Sequence, residues 1–292
     1  MASLQIAMKQ AKQGSLIEIS AGKYFDGGIL TADDVTIRAE KGAHISGFSI
    51  KGKGSLIIQS DNTQIIGLEC SHVSVADRNG ACVRLEGRNL QLSSVYFHDS
   101  EQGLLSGKDS GVIMIENSRF ERLGKSGQAH GIYVGSGELY ISNSHFLSSK
   151  DEGHEIKSRA AKTIIENTTV ASLYGKDSRL IDVSSGGILE VVGCILQQGN
   201  NTSNSDLISF ALEGIKYKTN TIKIENNVFI LDRERGNRLL HTRSKIGNII
   251  VSNNIIIGRL SGNKFDETNI FFKSRKEAGL KPFPALAEES ND

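Results

Sequence analysis

The amino-acid sequence predicts an all-β protein, a right-handed single-stranded parallel β-helix (a solenoid) with a short N-terminal capping helix. Three observations carry this expectation. Short apolar segments recur every 23–33 residues along most of the chain, a period in the range of stacked structural repeats. A polar bend residue, most often Asn, follows each segment at a constant offset. Glycine is abundant (31 residues) and proline nearly absent (2), which suits many tight bends between short strands.

At the N-terminus, Leu4, Ala7, Met8 and Ala11 form an i, i+3, i+4, i+7 stripe, followed by Gly14 and the strand-like Leu16-Ile17-Glu18-Ile19. A helix within residues 1–13 would cover the open end of the first coil and keep that edge from pairing with other chains. The first inward column then runs Ile66, Leu92, Ile115, Ile141, Ile165, Val191, Ile224 and Val251. Two residues on comes a bend position holding Ser94, Asn117, Asn143, Asn167, Gly193, Asn226 and Asn253. Asn tolerates left-handed backbone. Copies stacked about 4.8 Å apart predict an interior asparagine ladder.

A second inward column follows the bend: Phe97, Phe120, Phe146, Val170, Leu196, Phe229 and Ile256. A third strand aligns on Val83, Leu104, Ile132, Ile156, Ile181, Ile208 and Leu240. The longer intervals, near Asn200–Asn220 and Asp232–Asn237, are where loops should protrude. The chain thus reads as one β-helix domain over 1–292, with coils from about 14 to 272 and a charged, aperiodic tail over 273–292. An elongated solenoid accommodates this length because each coil needs only its neighbours.

Net charge is +1, from 34 basic and 33 acidic residues, so any attraction for an anion must come from local clustering. Cys70, Cys82 and Cys194 are odd in number and lack metal-type spacing; they read as buried small apolar residues rather than a disulfide framework. No apolar run approaches the ~18 residues that span a bilayer. No export leader is visible, and Met1-Ala2 directly precede the first element. The expectation is that a leader has been removed and that the protein is secreted or periplasmic.

The coil pattern, bend asparagines and helical cap resemble the pectate lyase-like right-handed β-helix superfamily over nearly the whole chain. Locally, Asn79-Gly80-Ala81-Cys82, Ala129-His130-Gly131-Ile132-Tyr133-Val134-Gly135 and Gly153-His154-Glu155-Ile156-Lys157-Ser158-Arg159-Ala160 resemble bacterial β-helix proteins of undefined activity. Superfamily members are chiefly polysaccharide lyases, hydrolases and epimerases, with adhesins and phage spikes among the rest. The resemblance therefore implies a fold and leaves function to the site.

On the third strand, the residue after each aligned apolar one should point outward. This stacks Arg84, Leu105, Tyr133, Lys157, Asp182, Ser209 and His241 in one file. Two residues further come Glu86, Gly107, Gly135, Arg159, Ser184, Ala211 and Arg243, and at the strand start His130, His154, Arg179 and Arg238. Three adjacent coils would gather His130, Tyr133, His154, Glu155, Lys157, Arg159, Arg179 and Asp182 on about 10 Å of surface.

Eliminating a glycosidic bond beside a uronic acid needs a cation on the carboxylate, a base for the proton alpha to it, and an acid for the leaving oxygen. The expected assignment makes Lys157 the base, activated by the nearby cations His154, Arg159 and Arg179. Arg159 and Arg179 would neutralise the carboxylate, while Tyr133, His130 and His154 act as acid or positioning groups. Asp182, Glu155, Arg84, His241 and Arg243 complete the expected contacts to an acidic polysaccharide. Superfamily lyases similarly use Lys or Arg on neighbouring coils.

A glycoside hydrolase would instead need two carboxylates about 5–9.5 Å apart, and Asp182 with Glu155, or Asp206, is the best pair in the sequence. A non-catalytic polysaccharide-binding or attachment solenoid could use the same cations. A lateral Lys157–Asp182 salt bridge alone would be worth only about 0–1 kcal/mol at an exposed site and would leave the histidines, arginines and tyrosine unexplained.

Asp151-Glu152 could take Ca²⁺ through carboxylate oxygens, but without identifiable partner ligands it reads as a solvated loop. No metal site is assigned. His44, His72, His98 and His145 fall outside this face and read as surface or bend chemistry. There is no phosphate-cradling loop and no interleaving of basic and exposed aromatic residues of the kind that binds single-stranded nucleic acid.

Overall fold

Each coil contributes one short strand to each of three parallel sheets, because its apolar residues alternate with polar ones and every inward side chain stacks on its copy one coil away. The computed structural model describes residues 3–234, 236–242, 246–262, 265 and 267–280. Among these, the first sheet has ten strands, from Leu16–Ile19 to Asn248–Ser252, and the second eleven, from Gly22–Tyr24 to Ile270–Phe272. The third has nine, from Gly28–Leu30 to Arg238–Thr242. Every pairing between strands is parallel and joins neighbouring coils, the arrangement of a parallel β-helix.

The helix Leu4–Gln10 buries Leu4 and Met8 against the first coil, with Ala7 and Ala11 packed beside them. Its N-terminus is capped from outside the helix: the Asp26 carboxylate accepts the Leu4 amide at 2.6 Å and the Ser3 hydroxyl at 2.8 Å. An acceptor there satisfies donors that have no partner within the helix.

The second and third columns stack in the predicted register, from Phe97↔Phe120↔Phe146 to Phe229↔Ile256 and from Val83↔Leu104 to Ile208↔Leu240. Phe120 and Phe146 lie face to face at 4.7 Å and are fully buried. Burial of each ring stabilises by about 1.5–3 kcal/mol. In the first column one member is corrected: Leu92 pairs with Ile65, and Ile66 points outward. The paired apolar residues Ile65-Ile66 fit either register by composition, and the pairing decides between them.

The interior asparagine ladder is also corrected. Asn117, Asn143, Asn167, Asn226 and Asn253 have φ between 48° and 59° and are exposed. Gly193 takes the same left-handed conformation at φ 67°, which glycine adopts without steric penalty. This backbone turns the bend residue outward and sends the next one in.

The interior polar stack is therefore Ser118, Ser144, Thr168, Cys194, Asn227, Asn254 and Asn269, all buried. The Val95 amide donates to Ser118 Oγ at 3.1 Å, the Ser118 amide to Ser144 Oγ at 3.1 Å, and the Ser144 amide to Thr168 Oγ1 at 3.3 Å. Further along, Asn227 Nδ2 donates to Asn254 Oδ1 and Asn254 Nδ2 to Asn269 Oδ1, both at 2.9 Å. The ladder satisfies bend amides that no strand can reach.

A third correction concerns the cysteines. Cys70 on the second sheet and Cys82 on the third both point inward within one coil and form a disulfide, with Cα atoms 5.9 Å apart. That separation suits a disulfide. Cys194 is a buried free thiol.

Candidate functional site

The first outward file of the third sheet stacks as the sequence predicts, whereas in the second Ala211 joins the core and Ser184 is buried. Arg84, Leu105, Tyr133, Lys157, Asp182, Ser209 and His241 are paired in succession. Beside them runs a groove of about 730 Å³. Arg84, Lys108, Lys157, Arg159 and Lys216 line it together with His130, Tyr133, Gln102 and Gln128, and no carboxylate is among its lining residues.

Lys157 sits at the centre of an ionic network. Its Nζ is 3.3 Å from Asp182 Oδ2 and 3.2 Å from Glu213 Oε1, and Glu213 also pairs with Arg159. The Arg159 guanidinium stands 5.6 Å from the centre of the Tyr133 ring. The sequence places Asp182 and several cations around Lys157; the fold adds a second carboxylate, Glu213.

Asp182 is 3% exposed and accepts from the Ser184 and Ser209 hydroxyls. Burial would raise its carboxyl pKa, but His154, the Lys157 ammonium and the two hydroxyls outweigh burial and hold it down at about 2.

His130 and His154 stack at 4.7 Å with their rings nearly parallel. The His154 amide donates to His130 Nδ1 at 3.0 Å, and the Arg179 amide donates to His154 Nδ1 at 3.1 Å. Each Nδ1 is thus an acceptor, so the ring proton resides on Nε2. In His154 that nitrogen lies 3.5 Å from Asp182. Burial depresses both pKa values, with the neighbouring cations adding to it, and His154 falls to about 4. Both rings are neutral at neutral pH. His130 reaches the groove wall, whereas His154 is enclosed.

Other expected members lie elsewhere. Glu155 is inside the solenoid, where its carboxylate accepts the Ser149 amide at 2.6 Å and the Ser149 hydroxyl at 2.7 Å. Alternation alone would put it on the same face as Lys157, but it precedes the strand Ile156–Ser158, where the bend turns it inward, so it is corrected from a surface contact to a core acid. Burial, with Asp177 nearby, raises its pKa well above the usual carboxylate range.

Arg179 turns to Asp206 at 3.7 Å, as does Arg238 at 3.6 Å, and His241 Nδ1 meets Asp206 at 2.7 Å. These four form a separate cluster beyond Asp182. Arg84 faces the groove with Glu86 at 3.9 Å. Arg243 lies outside the described residues.

The groove also includes residues that the sequence did not single out. Residues 211–220 fold back over the third sheet: Tyr217 Oη donates to the Arg159 carbonyl at 2.6 Å, and the Glu213 and Lys216 amides donate to the Ser184 and Ser185 carbonyls. The 33-residue interval between Val191 and Ile224 signalled an insertion, but not the face on which it would lie. Asp151 and Glu152 each face a lysine, Lys125 at 3.3 Å and Lys176 at 3.4 Å, as befits a solvated loop.

The fold and groove define a right-handed parallel β-helix protein with a cationic cleft on one sheet. No protein-family model matches the chain, and no curated protein sequence matches it. Among solved structures, an alginate lyase from Paenibacillus sp. str. FPU-7 is similar over 93% of this chain and 95% of its own, at 15% identity and a TM-score of 0.58. The alginate lyase AlyF-OU02, in complex with G6, aligns with 91% of this chain and 59% of its own, at 14% identity and a TM-score of 0.37. The likeness to the Paenibacillus structure is one of fold.

Proposed function

We propose that the chain is a polysaccharide lyase that cleaves a uronic-acid-containing polysaccharide by β-elimination in the groove of the third sheet. The observation that carries this reading is the lining of that groove by five cations, Arg84, Lys108, Lys157, Arg159 and Lys216, three of them paired with the carboxylates Glu86, Asp182 and Glu213 at its border, in a protein of net charge +1. A low-dielectric wall strengthens attraction between such a cluster and a polyanion. The Paenibacillus protein of the same fold is an alginate lyase, and alginate, a polyuronate, heads the candidate substrates.

In this mechanism a substrate carboxylate replaces Glu213 on Arg159 and Lys157. Arg159 neutralises the carboxylate, which makes the adjacent C–H bond more acidic. Lys157, after passing its ammonium proton to solvent, takes the C–H proton. The electron pair forms the carbon–carbon double bond and expels the glycosidic oxygen, which Tyr133 protonates. His130 and His154 position the strand starts and Asp182, and Arg84, Lys108 and Lys216 hold neighbouring sugar carboxylates. Arg179 and His241 pair with Asp206 outside the groove and take no step in this mechanism. A polymeric substrate places the protein outside the cytoplasm, secreted or periplasmic.

Incubation with alginate, polygalacturonate and other polyuronates is expected to give unsaturated products that absorb in the ultraviolet, with Lys157→Ala abolishing them. Reducing ends without absorbance would identify a hydrolase. Of the pairs weighed for that outcome, Asp182 with Glu155 fails, since Glu155 is inside the solenoid and Asp182 outside, and the substitute Asp206 is already held by Arg179, Arg238 and His241. Salt-sensitive binding of intact oligosaccharide would identify a non-catalytic binder. Either result overturns the elimination mechanism.

A further inference from the structure

Three side chains outside the groove converge on one point of the second sheet. His44, Glu69 and His98 lie on three consecutive coils, in strands Ala43–Ser46, Glu69–Ser71 and Tyr96–His98. One ligand atom from each lies within 4.8 Å of the others. His44 Nδ1 is 3.4 Å from Glu69 Oε1, and His98 Nε2 is 3.2 Å from the same oxygen. Atoms bound about 2.0–2.1 Å from one tetrahedral ion stand about 3.3–3.4 Å apart, so both separations fit the edges of a single coordination sphere.

The outer partners orient these atoms. His98 Nδ1 is 2.7 Å from Asp99 Oδ2, and Arg122 grips Asp99 through two bonds of 2.9 and 2.8 Å. His44 Nε2 is 2.7 Å from the Ser71 hydroxyl. With the His98 proton on Nδ1 and the His44 proton on Nε2, the nitrogens facing Glu69 present lone pairs. Two lone pairs and a carboxylate then face one point and can hold a cation between them; with no ion bound, His98 Nε2 can instead donate to Glu69. A carboxylate behind a ligating imidazole is the usual way a protein fixes the ring for a metal. His72 and Asp99 also line a recess of about 620 Å³, beside the set.

We propose that His44 Nδ1, Glu69 and His98 Nε2 bind one transition-metal ion of the Zn²⁺ type, with a fourth position open to solvent. Two imidazoles and one carboxylate favour such an ion over Ca²⁺ or Mg²⁺, which prefer all-oxygen shells. The ion would tie three consecutive coils together and is independent of the lyase reading.

The test is calorimetric titration of Zn²⁺ into full-length protein stripped by a chelator, with Co²⁺ as a spectroscopic probe. One Zn²⁺ per chain is expected, with a visible Co²⁺ spectrum of four-coordinate type and a raised thermal midpoint. His98→Ala should weaken binding at least about 100-fold, and Asp99→Asn by about 10-fold as an outer-partner change. Glu69→Gln, which keeps the side-chain shape, guards against misfolding when its circular dichroism matches the parent. His145→Ala and His241→Ala should bind as the parent does. Substoichiometric binding, or equal affinity in His98→Ala and Glu69→Gln, would overturn the site.

Discussion

Lys157 Nζ lies 3.3 Å from Asp182 Oδ2, one coil away, and the carboxylate that completes this pair is almost wholly covered by protein. Removing Asp182 leaves the covered Lys157 ammonium with only the more exposed Glu213 as compensation. Asp182→Asn should therefore destabilise by about 2–3 kcal/mol, measured by urea unfolding at pH 7. The acid limb has a definite sign. Asp182 has a depressed folded pKa of about 2 against 3.8 unfolded, so its contribution is present above pH 4 and is lost as pH falls through 2. An Asp182→Asn protein should lack that limb.

Glu213 holds Lys157 and Arg159 in the position proposed for a substrate carboxylate. Glu213→Gln removes this internal competitor without shortening the side chain. Glu213 is 43% exposed at its side chain, so the gain is modest, about 0.5–1 kcal/mol. KM for a polyuronate should fall by roughly 2–5-fold, with kcat little changed. An increase in KM would show that Glu213 helps to bind the sugar.

Glu155 and Asp177 are buried carboxyls whose pKa values are both raised, chiefly by burial. A raised acid binds its proton more tightly in the folded state. Its cost therefore appears as pH rises above the ordinary carboxylate value and grows until the folded group ionises. Replacing Asp177 with Asn should flatten the fall in stability from about pH 4 to neutrality, a difference on the order of 1–4 kcal/mol. Thermal melts of both proteins across that range are the check, and parallel pH profiles would refute it.

Neighbouring asparagines at one bend should behave oppositely. Asn253 is exposed with φ 57°, and Asn254 is buried, accepting from Asn227 and donating to Asn269. Asn253→Gly should change stability by less than about 0.5 kcal/mol. Asn254→Ala leaves buried amides without partners and should cost about 2–3 kcal/mol. Equal losses would contradict the assignment of the interior ladder.

The sequence by itself determined the coil repeat, the helical cap, two of three core columns in register, and the whole outward file from Arg84 to His241. These are legible because strand alternation has a period of two and each coil repeats the same inward positions. It misplaced Ile66 by one residue, because two adjacent isoleucines satisfy either register. It read the bend asparagines as interior, because a left-handed φ turns that side chain outward and delivers the next one to the lumen.

Tertiary structure alone decided what faces what between distant residues. Glu213 reaches Lys157 across 56 positions, Cys70 meets Cys82, and Glu155 enters the core while Lys157 stays out. His44, Glu69 and His98, three unrelated letters in the chain, become one cluster only when coils stack about 4.8 Å apart. Local pattern sets the direction of a side chain along its strand, but which partners it meets depends on loop paths and on the stacking of whole coils.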